Sequence, residues 1–480
     1  MYAFLGRAQK MSETIIKSSD TPSSESEQSI LKVSLSAMAG TTIEWYDFFL
    51  YGTAAALVFP TVFFPEDLPP LVALFASFST FAVGFIARPV GGIIFGHYGD
   101  RLGRKRALVI ALVMMGLGTT LIGFLPTYAV AGAAAPLALI ILRFVQGLAI
   151  GGQWGGAVLL ITETAPKHRR GFYGSFAQIG VPVGVVIANL AFLLINASVS
   201  PESFMTWGWR VPFLLSIFLI FLALYIQLRI EDSPAFRKLQ VIKERQDVLA
   251  VQERAESQGE SKEVAEAAMT SQRQSSPVLE AIRLYPKTIL LAAGAFLAVQ
   301  VTFYILIAFV VAYGSNPAGL GLPRSTMLAA VLISNALMPP ALLLSAHFSD
   351  LRGRRGIYIT GAVLLSIWGF ILFPMIDTGS FLWITVGITI GMFFLSMMYG
   401  PQAAFLAELF TTKVRYSGAS LGYQLGAVIG GGFAPLIATA LFAAFGGTFA
   451  ISVYIAVACA ITVICVLLLQ ETYKSNLTEP

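Results

Sequence analysis

One short loop occurs twice in this chain, as Gly96-His-Tyr-Gly-Asp-Arg-Leu-Gly-Arg-Lys-Arg106 and as Ala346-His-Phe-Ser-Asp-Leu-Arg-Gly-Arg-Arg-Gly356. Asp100 aligns with Asp350, Arg104 aligns with Arg354, and each copy lies between long apolar runs. Duplicated halves packed around a central site are the architecture of many secondary transporters. The repeat therefore predicts a duplicated membrane fold and points to transport rather than catalysis.

The composition is that of a polytopic membrane protein. Of the 480 residues, 56% are hydrophobic and only 12% are charged, whereas a soluble protein has roughly 25% charged residues. Residues 171–201, 288–323 and 416–470 contain no Asp, Glu, Lys or Arg, and each stretch is long enough for a helix of about 20 residues. The net charge of +5 comes from basic residues in short loops, as membrane topology requires, so no nucleic-acid partner is expected.

The lengths of the apolar runs predict an all-α membrane protein of about twelve transmembrane helices in two pseudo-symmetric six-helix bundles. The predicted spans are 34–62, 71–98, 107–125, 134–161, 171–196, 210–229, 286–313, 325–348, 356–376, 381–407, 416–444 and 448–470. The predicted organisation is a cytoplasmic tail (1–33), an N-terminal bundle (34–230), a cytoplasmic linker (231–284), a C-terminal bundle (285–470) and a cytoplasmic tail (471–480).

Basic residues predict the orientation in the membrane. The loops on one side hold most of the loop Lys and Arg residues, and the opposite loops hold little beyond Arg210 and Arg324. The basic side is expected to face the cytoplasm, and both termini with it. The linker is rich in Glu, Lys, Gln, Ala and Ser, which favours a mobile spacer, with a regulatory role as the alternative.

A second repeat supports the duplication. Glu163-Thr-Ala-Pro-Lys-His-Arg-Arg170 follows the fourth predicted span, and Glu408-Leu-Phe-Thr-Thr-Lys-Val-Arg415 follows the tenth. Both segments begin with Glu and place Arg seven residues later. Two repeats that recur in the same order indicate duplication rather than chance.

These loops resemble the signature of the major facilitator superfamily. Further motifs resemble its metabolite:proton symporter branch, which includes carriers for shikimate, α-ketoglutarate, citrate and proline/betaine. They are Glu44-Trp-Tyr-Asp-Phe48, Arg143-Phe-Val-Gln-Gly-Leu-Ala-Ile-Gly-Gly-Gln-Trp-Gly-Gly-Ala157, Trp207-Gly-Trp-Arg-Val-Pro212 and Arg415-Tyr-Ser-Gly-Ala-Ser-Leu-Gly-Tyr423. The resemblance covers residues 34–470 and implies a monomeric carrier of the bacterial inner membrane. Many relatives carry Glu where this chain has Gln153, so specificity does not carry over at that position.

Charged residues inside the predicted spans are the candidate chemical groups, and Glu44, Asp47, Arg88 and Arg143 are all in the N-terminal half. A charge at the bilayer centre costs roughly 2.5 kcal/mol or more, so it needs a partner or a water-filled cavity. Glu44 and Asp47 share a helix face and repel when both are ionised, which favours proton uptake. They are the predicted proton-coupling pair, with a structural ion pair as the alternative.

Arg143 is the predicted anchor of the substrate, because a guanidinium can hold a carboxylate by two hydrogen bonds. The C-terminal half is expected to supply shape and aromatic contacts. Trp154 either stacks on the ligand or fills a gap. The remaining predicted substrate-binding residues are Gln146, Gln153, Tyr46, Tyr304 and Gln424.

The repeated loops are predicted to form a gate, because opposite charges that pair across two halves can bias a rocking equilibrium. Membrane topology alone is the alternative explanation for their Arg and Lys residues. For Arg88, which precedes Pro89, gating and snorkelling towards the membrane edge are both open. The other predicted gating residues are Asp100, Arg101, Arg104, Glu163, Asp350, Arg354, Glu408 and Arg415.

The leading functional hypothesis is proton-coupled symport of a small organic acid or zwitterion by alternating access. An exporter or antiporter is the first alternative, since sequence does not fix direction, and a transporter-like ligand sensor is the second. The sequence contains no metal-ligand cluster, nucleotide-binding loop or nucleophile constellation. We therefore expect neither an enzyme nor a bound metal or cofactor.

Overall fold

The computed structural model describes residues 24–102, 104–151, 158–159, 161–162, 164–229, 277–411 and 414–474, and these residues form helices and short connections without a strand. Each predicted span coincides with one helix or one chain of helical segments. These helices are α1 (Ser24–Leu57), α2 (Pro70–Leu102), α3 (Arg104–Ile122), α4 (Ala134–Gly151), α5 (Arg170–Ser198), α6 (Arg210–Arg229), α7 (Pro286–Ser315), α8 (Arg324–Arg352), α9 (Arg354–Asp377), α10 (Phe381–Glu408), α11 (Arg415–Gly426, Ala427–Gly432 and Ala434–Phe445) and α12 (Phe449–Leu468).

Length and hydropathy identify membrane-spanning helices among them. Within the described ranges, nine helices are long and apolar enough to cross a membrane, and the bent pair Pro201–Gly208 and Arg210–Phe221 makes a tenth. In α3 the apolar stretch is shorter, Val109–Ile122. The prediction of an all-α membrane fold is confirmed.

The packing of the helices shows the duplication directly. In the N-terminal half, α1 packs against α5, α2 against α4, and α3 against α6. The C-terminal half repeats these three pairs as α7 with α11, α8 with α10, and α9 with α12. The halves meet in an equally symmetric way, since α5 packs along α8 and α2 packs along α11.

Three boundaries differ from the predicted ones. Helix α1 begins at Ser24 rather than at residue 34, because no Gly or Pro interrupts residues 24–39. In α8 two helical segments, Arg324–Ala336 and Met338–Arg352, meet at Leu337. The prolines that follow the break have no amide hydrogen to continue the helical pattern. A short helix, Pro277–Leu284, occupies the end of the predicted linker, whose residues 231–276 lie outside the described ranges.

Glycines bring α2 and α4 into close backbone contact. A Cβ atom at Gly91 would collide with the carbonyl oxygen of Leu148, and one at Gly151 would collide with that of Arg88. Small residues allow helices in lipid to approach in this way. The contact fixes the positions of Arg88 on α2 and Arg143 on α4.

Candidate functional site

The two halves meet at a cluster of aromatic rings, here called the aromatic joint, formed by Phe48, Phe81 and Phe85 of the N-terminal half and Tyr304 of α7. The ring centroid of Tyr304 lies 5.1 Å from that of Phe85 and 5.7 Å from that of Phe81, both edge to face. Contacts of this kind contribute about 0.5–1.5 kcal/mol beyond area burial. Tyr304, only 1% exposed, therefore anchors one half in the other.

Arg143 lies inside the N-terminal half against the same rings. Its guanidinium carbon is 4.3 Å from the ring centroid of Phe48 and 4.2 Å from that of Tyr51, a cation–π arrangement. Gly84 makes room for it, since a Cβ atom there would lie 2.6 Å from Arg143 Nε. Arg143 Nη1 donates a 3.3 Å hydrogen bond to Gln146 Oε1, whereas Nε and Nη2 have no partner among the described residues.

Asp47 lies beside a hydrogen-bonded pair of neutral side chains, Gln146 and Thr119, that extends from Arg143. Gln146 Nε2 donates a 2.7 Å hydrogen bond to Thr119 Oγ1, and the Asp47 carboxylate lies beside the hydroxyls of Thr119 and Ser216. Asp47 is 2% exposed, and its Oδ1 accepts no hydrogen bond from the residues described. The sequence predicts an acid within the first span and an arginine within the fourth. In the structure, Thr119 of α3 lies between them.

Arg88 occupies a second aromatic pocket. It is 0% exposed, and its guanidinium carbon lies 4.1 Å from the Phe85 centroid, 4.3 Å from Phe48 and 5.4 Å from Trp45. Glu44 is within electrostatic range of it, whereas Asp47 lies beside the hydroxyls of Thr119 and Ser216. The two predicted acids of α1 therefore have different surroundings. Arg88 itself is enclosed by side chains of the protein rather than extended along its surface.

A small cavity lies between the halves, with room for about one water molecule. Residues of both halves line it: Trp45, Val181, Val299, Gln300, Phe303, Tyr304, Leu395, Tyr399 and Tyr423. Trp45 is not among the substrate-binding residues predicted from the sequence, because an aromatic residue within an apolar span is equally consistent with a packing role. The only signal was its position inside the Glu44-Trp-Tyr-Asp-Phe48 motif.

The structure places the predicted substrate-binding residues in different environments. Tyr304 lines the cavity, and Gln424 Nε2 donates a long 3.4 Å hydrogen bond across the halves to the Gly151 carbonyl. The Tyr46 hydroxyl donates to the Pro212 carbonyl at 3.0 Å, and the Gln146 amide belongs to the Arg143 chain described above. Gln153 and Trp154 lie outside the described residues.

A buried ion cluster connects the halves at the end of the molecule that carries the basic loops. Arg354 pairs with Asp350, and its Nη2 lies 3.2 Å from Glu408 Oε1. The Asp350 carboxylate also accepts 2.8 Å hydrogen bonds from the backbone amides of Gly171 and Phe172. A carboxylate of the C-terminal half thus caps the first turn of α5, where the helix dipole favours negative charge.

The C-terminal segment completes this cluster. Glu471 accepts hydrogen bonds from the backbone amides of Arg354 at 2.9 Å and Arg355 at 3.0 Å, and Thr472 Oγ1 donates to Glu408 Oε2 at 2.7 Å. Gly353 precedes them with a φ of +101°, which glycine adopts most readily.

The other predicted gating residues have different positions. Arg415 Nε donates to the Phe410 carbonyl at 3.2 Å, and Arg88 lies at the aromatic joint instead of in the ion cluster. Glu163 and the side chains of Asp100, Arg101 and Arg104 lie outside the described part of the chain.

Comparison with known proteins gives the same fold and a family. Residues 33–479 match the family described as "Sugar (and other) transporter". The chain is 37% identical to an inner membrane metabolite transport protein of Escherichia coli (strain K12), over 93% of this chain and 95% of that protein. It is also 37% identical to the shikimate transporter of the same organism, over 92% of this chain and 95% of that one.

Among solved structures, the chain resembles the xylose transporter XylE from E. coli in a partially occluded inward-open conformation. The TM-score is 0.68 at 19% identity, over 93% of this chain and 99% of the other. This likeness concerns the fold. Together with the match to the family, it confirms the resemblance and excludes an enzyme: the chain belongs to the sugar (and other) transporter family of the major facilitator superfamily and is a secondary transporter.

Proposed function

We propose that this protein is a proton-coupled symporter that imports a small organic acid or zwitterion by alternating access. The observation that supports the proposal most directly is that the hydrogen bonds from Arg143 through Gln146 to Thr119 end beside the buried acid Asp47. An intramembrane acid with a nearby cation is typical of proton relays in transporters. The similarity to the shikimate transporter of Escherichia coli supports an acidic substrate.

Asp47 and Glu44 are the proposed proton carriers. Both lie in the N-terminal half: Glu44 is near Arg88, and Asp47 is beside Thr119, which accepts a hydrogen bond from Gln146, the hydrogen-bond partner of Arg143. When an acid takes up a proton, its negative charge is lost, and the net charge of the site becomes more positive by one in a medium of low dielectric constant, where this change has a large effect. This makes an anionic substrate a favourable second ligand, which couples the two binding events.

The ion cluster of Asp350, Arg354 and Glu408 is the proposed inner gate. Its Asp350 carboxylate accepts hydrogen bonds from the first turn of α5, and these bonds between the halves can form only while this end is closed. We propose that this end faces the cytoplasm, with both termini, and that the protein works as a monomer in the plasma membrane.

Uptake into proteoliposomes tests the proposal. Purified protein is reconstituted and given labelled shikimate, 2-oxoglutarate, citrate, proline or betaine, with and without an inward-directed proton gradient. We expect the gradient to stimulate uptake of one compound at least about tenfold and a protonophore to abolish the stimulation. Asp47→Asn should lose this gradient-driven accumulation while still exchanging labelled for unlabelled substrate.

Liposomes without protein and liposomes with an outward-directed gradient are the controls. Stimulation by the outward gradient would show an antiporter in place of a symporter. Binding without transport in any direction would show a ligand sensor. Gradient-driven accumulation that persists in Asp47→Asn and Glu44→Gln would contradict the proposed proton carriers.

A further inference from the structure

We infer that Arg88 is the residue that binds the carboxylate of the transported molecule, with Trp45 and Tyr304 as the walls of its pocket. The inference rests on the proposed function, since it takes the substrate to be a carboxylate. It also gives the two buried arginines different roles. Arg88 binds the substrate, and Arg143 belongs to the hydrogen-bonded side chains beside Asp47.

Arg88 is a completely buried cation that forms no ion pair and no well-formed hydrogen bond within the described part of the chain, although the Tyr304 phenol lies close to it. It is 0% exposed, and Nε, Nη1 and Nη2 all lack a hydrogen-bond partner among the described residues. An unsatisfied buried charge is costly, and contacts with aromatic faces offset only part of that cost. A guanidinium with a free fork of donors matches the two oxygens of a carboxylate.

The residues around Arg88 also line the cavity between the halves. Its guanidinium carbon is 5.4 Å from the Trp45 ring centroid, and it lies beside the phenol of Tyr304 and within electrostatic range of Tyr423. Trp45, Tyr304 and Tyr423 are three of the residues that line the cavity. Arg88 therefore lies one layer of side chains behind the space where a substrate would enter.

Arg143 is less suited to this role. Its Nη1 is already bonded to Gln146, and its pocket is formed by Phe48, Tyr51 and Phe81, all of the N-terminal half. None of these three rings is among the residues that line the cavity, whereas Trp45, which contacts Arg88, is. A substrate could reach Arg143 only by displacing rings inside one half.

Opening of the halves would uncover Arg88. The cavity has room for about one water molecule, so a metabolite fits only after it widens. Trp45 belongs to α1 and Tyr304 belongs to α7, which means that movement of one half against the other separates these two side chains. Their separation joins the Arg88 pocket to the cavity.

Glu44 gives this site a connection to proton binding. Among the residues that the structure describes, the charged or titratable groups around Arg88 are Glu44 of α1, Arg143 of α4, Tyr304 of α7 and Tyr423 of α11. Glu44 is the acid among them, so its ionised carboxylate competes with the substrate carboxylate for Arg88. Protonation of Glu44 removes the competitor, so binding of the anion to Arg88 is coupled to uptake of a proton by Glu44, in addition to any proton bound by Asp47.

Equilibrium binding to purified protein, without any gradient, tests this assignment. The probes are shikimate, 2-oxoglutarate, citrate, proline and betaine, each compared with its methyl ester. We expect the wild type to prefer at least one acid over its ester roughly 10- to 100-fold. Arg88→Gln should lower the affinity for the acid to that for the ester and leave the affinity for the ester unchanged.

Three further variants separate binding from a structural role. Arg88→Lys keeps the positive charge but loses the two parallel N–H donors of the guanidinium, so it should retain only part of the preference for the acid over its ester. Glu44→Gln should bind the acid more tightly near neutral pH, whereas a purely structural Glu44–Arg88 pair predicts no gain. Arg352→Gln is the control: it removes an exposed arginine and should keep the full preference for the acid. Size-exclusion chromatography of each variant verifies folding.

The assignment is overturned if folded Arg88→Gln or Arg88→Lys keeps the full preference for the acid, or if the folded wild type binds none of the acids better than its ester. The proposed symport fails separately, when the wild type binds an acid through Arg88 and a proton gradient does not drive its uptake.

Discussion

The carboxylate of Asp350 in the C-terminal half accepts a 2.8 Å hydrogen bond from the backbone amide of Gly171 in the N-terminal half. An acid at the end of α8 thereby holds the first turn of α5. Because the two residues belong to different halves, the bond must break whenever this end of the protein opens.

Neutralising Asp350 should slow transport more than it weakens binding. A carboxylate at a helix N-terminus contributes about 0.3–2 kcal/mol, so Asp350→Asn should destabilise the closed state and lower turnover roughly two- to thirtyfold. The KM should stay within about a factor of two. Initial uptake rates measure both, with Asp67→Asn, which removes an exposed acid, as the control. Unchanged turnover would count against a gating role.

A methyl group at Gly171 should disturb the same cluster sterically. Its Cβ atom would lie 2.6 Å from Arg354 Nη1 and 2.9 Å from Asp350 Oδ1. Gly171→Ala should therefore lower turnover by about tenfold or more. Gly356→Ala is the matched control, because a Cβ atom there meets nothing within 4 Å. Equal uptake rates in the two variants would show that this packing does not limit transport.

The hydrogen bond from Gln146 to Thr119, which lies between Arg143 and Asp47, can be removed by changing one hydroxyl. Thr119 and Thr120 both donate to a carbonyl one turn earlier in α3, but Thr119 also accepts from Gln146. Thr119→Val should reduce gradient-driven uptake several-fold, since the lost hydrogen bond is worth about 1 kcal/mol. Thr120→Val should have little effect. Equal losses in both variants would argue for a general packing defect in α3.

The C-terminal segment should stabilise the ion cluster. Glu471 caps α9 by accepting from the amides of Arg354 and Arg355. Glu471→Ala should lower the free energy of unfolding by about 0.5–2 kcal/mol, the usual worth of a helix cap. Thermal melting in detergent measures this, with Lys474→Ala on the exposed surface as the control. A melting temperature equal to that of the wild type would exclude a capping role.

The fold was predictable because its two main signals are local. Apolar runs give the helices, and the repeated loops around Asp100 and Asp350 give the duplication. The break in α8 follows from Pro339 and Pro340, which lack an amide hydrogen. The early start of α1 was missed because hydropathy marks where lipid begins, whereas a helix continues until a residue stops it.

The site was predictable where charge identified it and hidden where geometry decided it. Glu44, Asp47, Arg88 and Arg143 stood out because charge is rare in lipid. Residues three positions apart are separated by about 60° around a helix, which is enough to direct Glu44 and Asp47 to different partners. The Thr119 hydroxyl comes from a third helix, and no pattern in the sequence connects it with Asp47.

The glycine contact between α2 and α4 has an electrical consequence. It ties Arg88 and Arg143 to one rigid pair of helices, so both cations stay with the same half as the protein rocks. The membrane voltage then acts on the net charge of the transported substrate and proton, at about 2.3 kcal/mol per elementary charge per 100 mV. A monocarboxylate that travels with one proton carries no net charge, and its accumulation should follow the pH gradient and ignore the voltage.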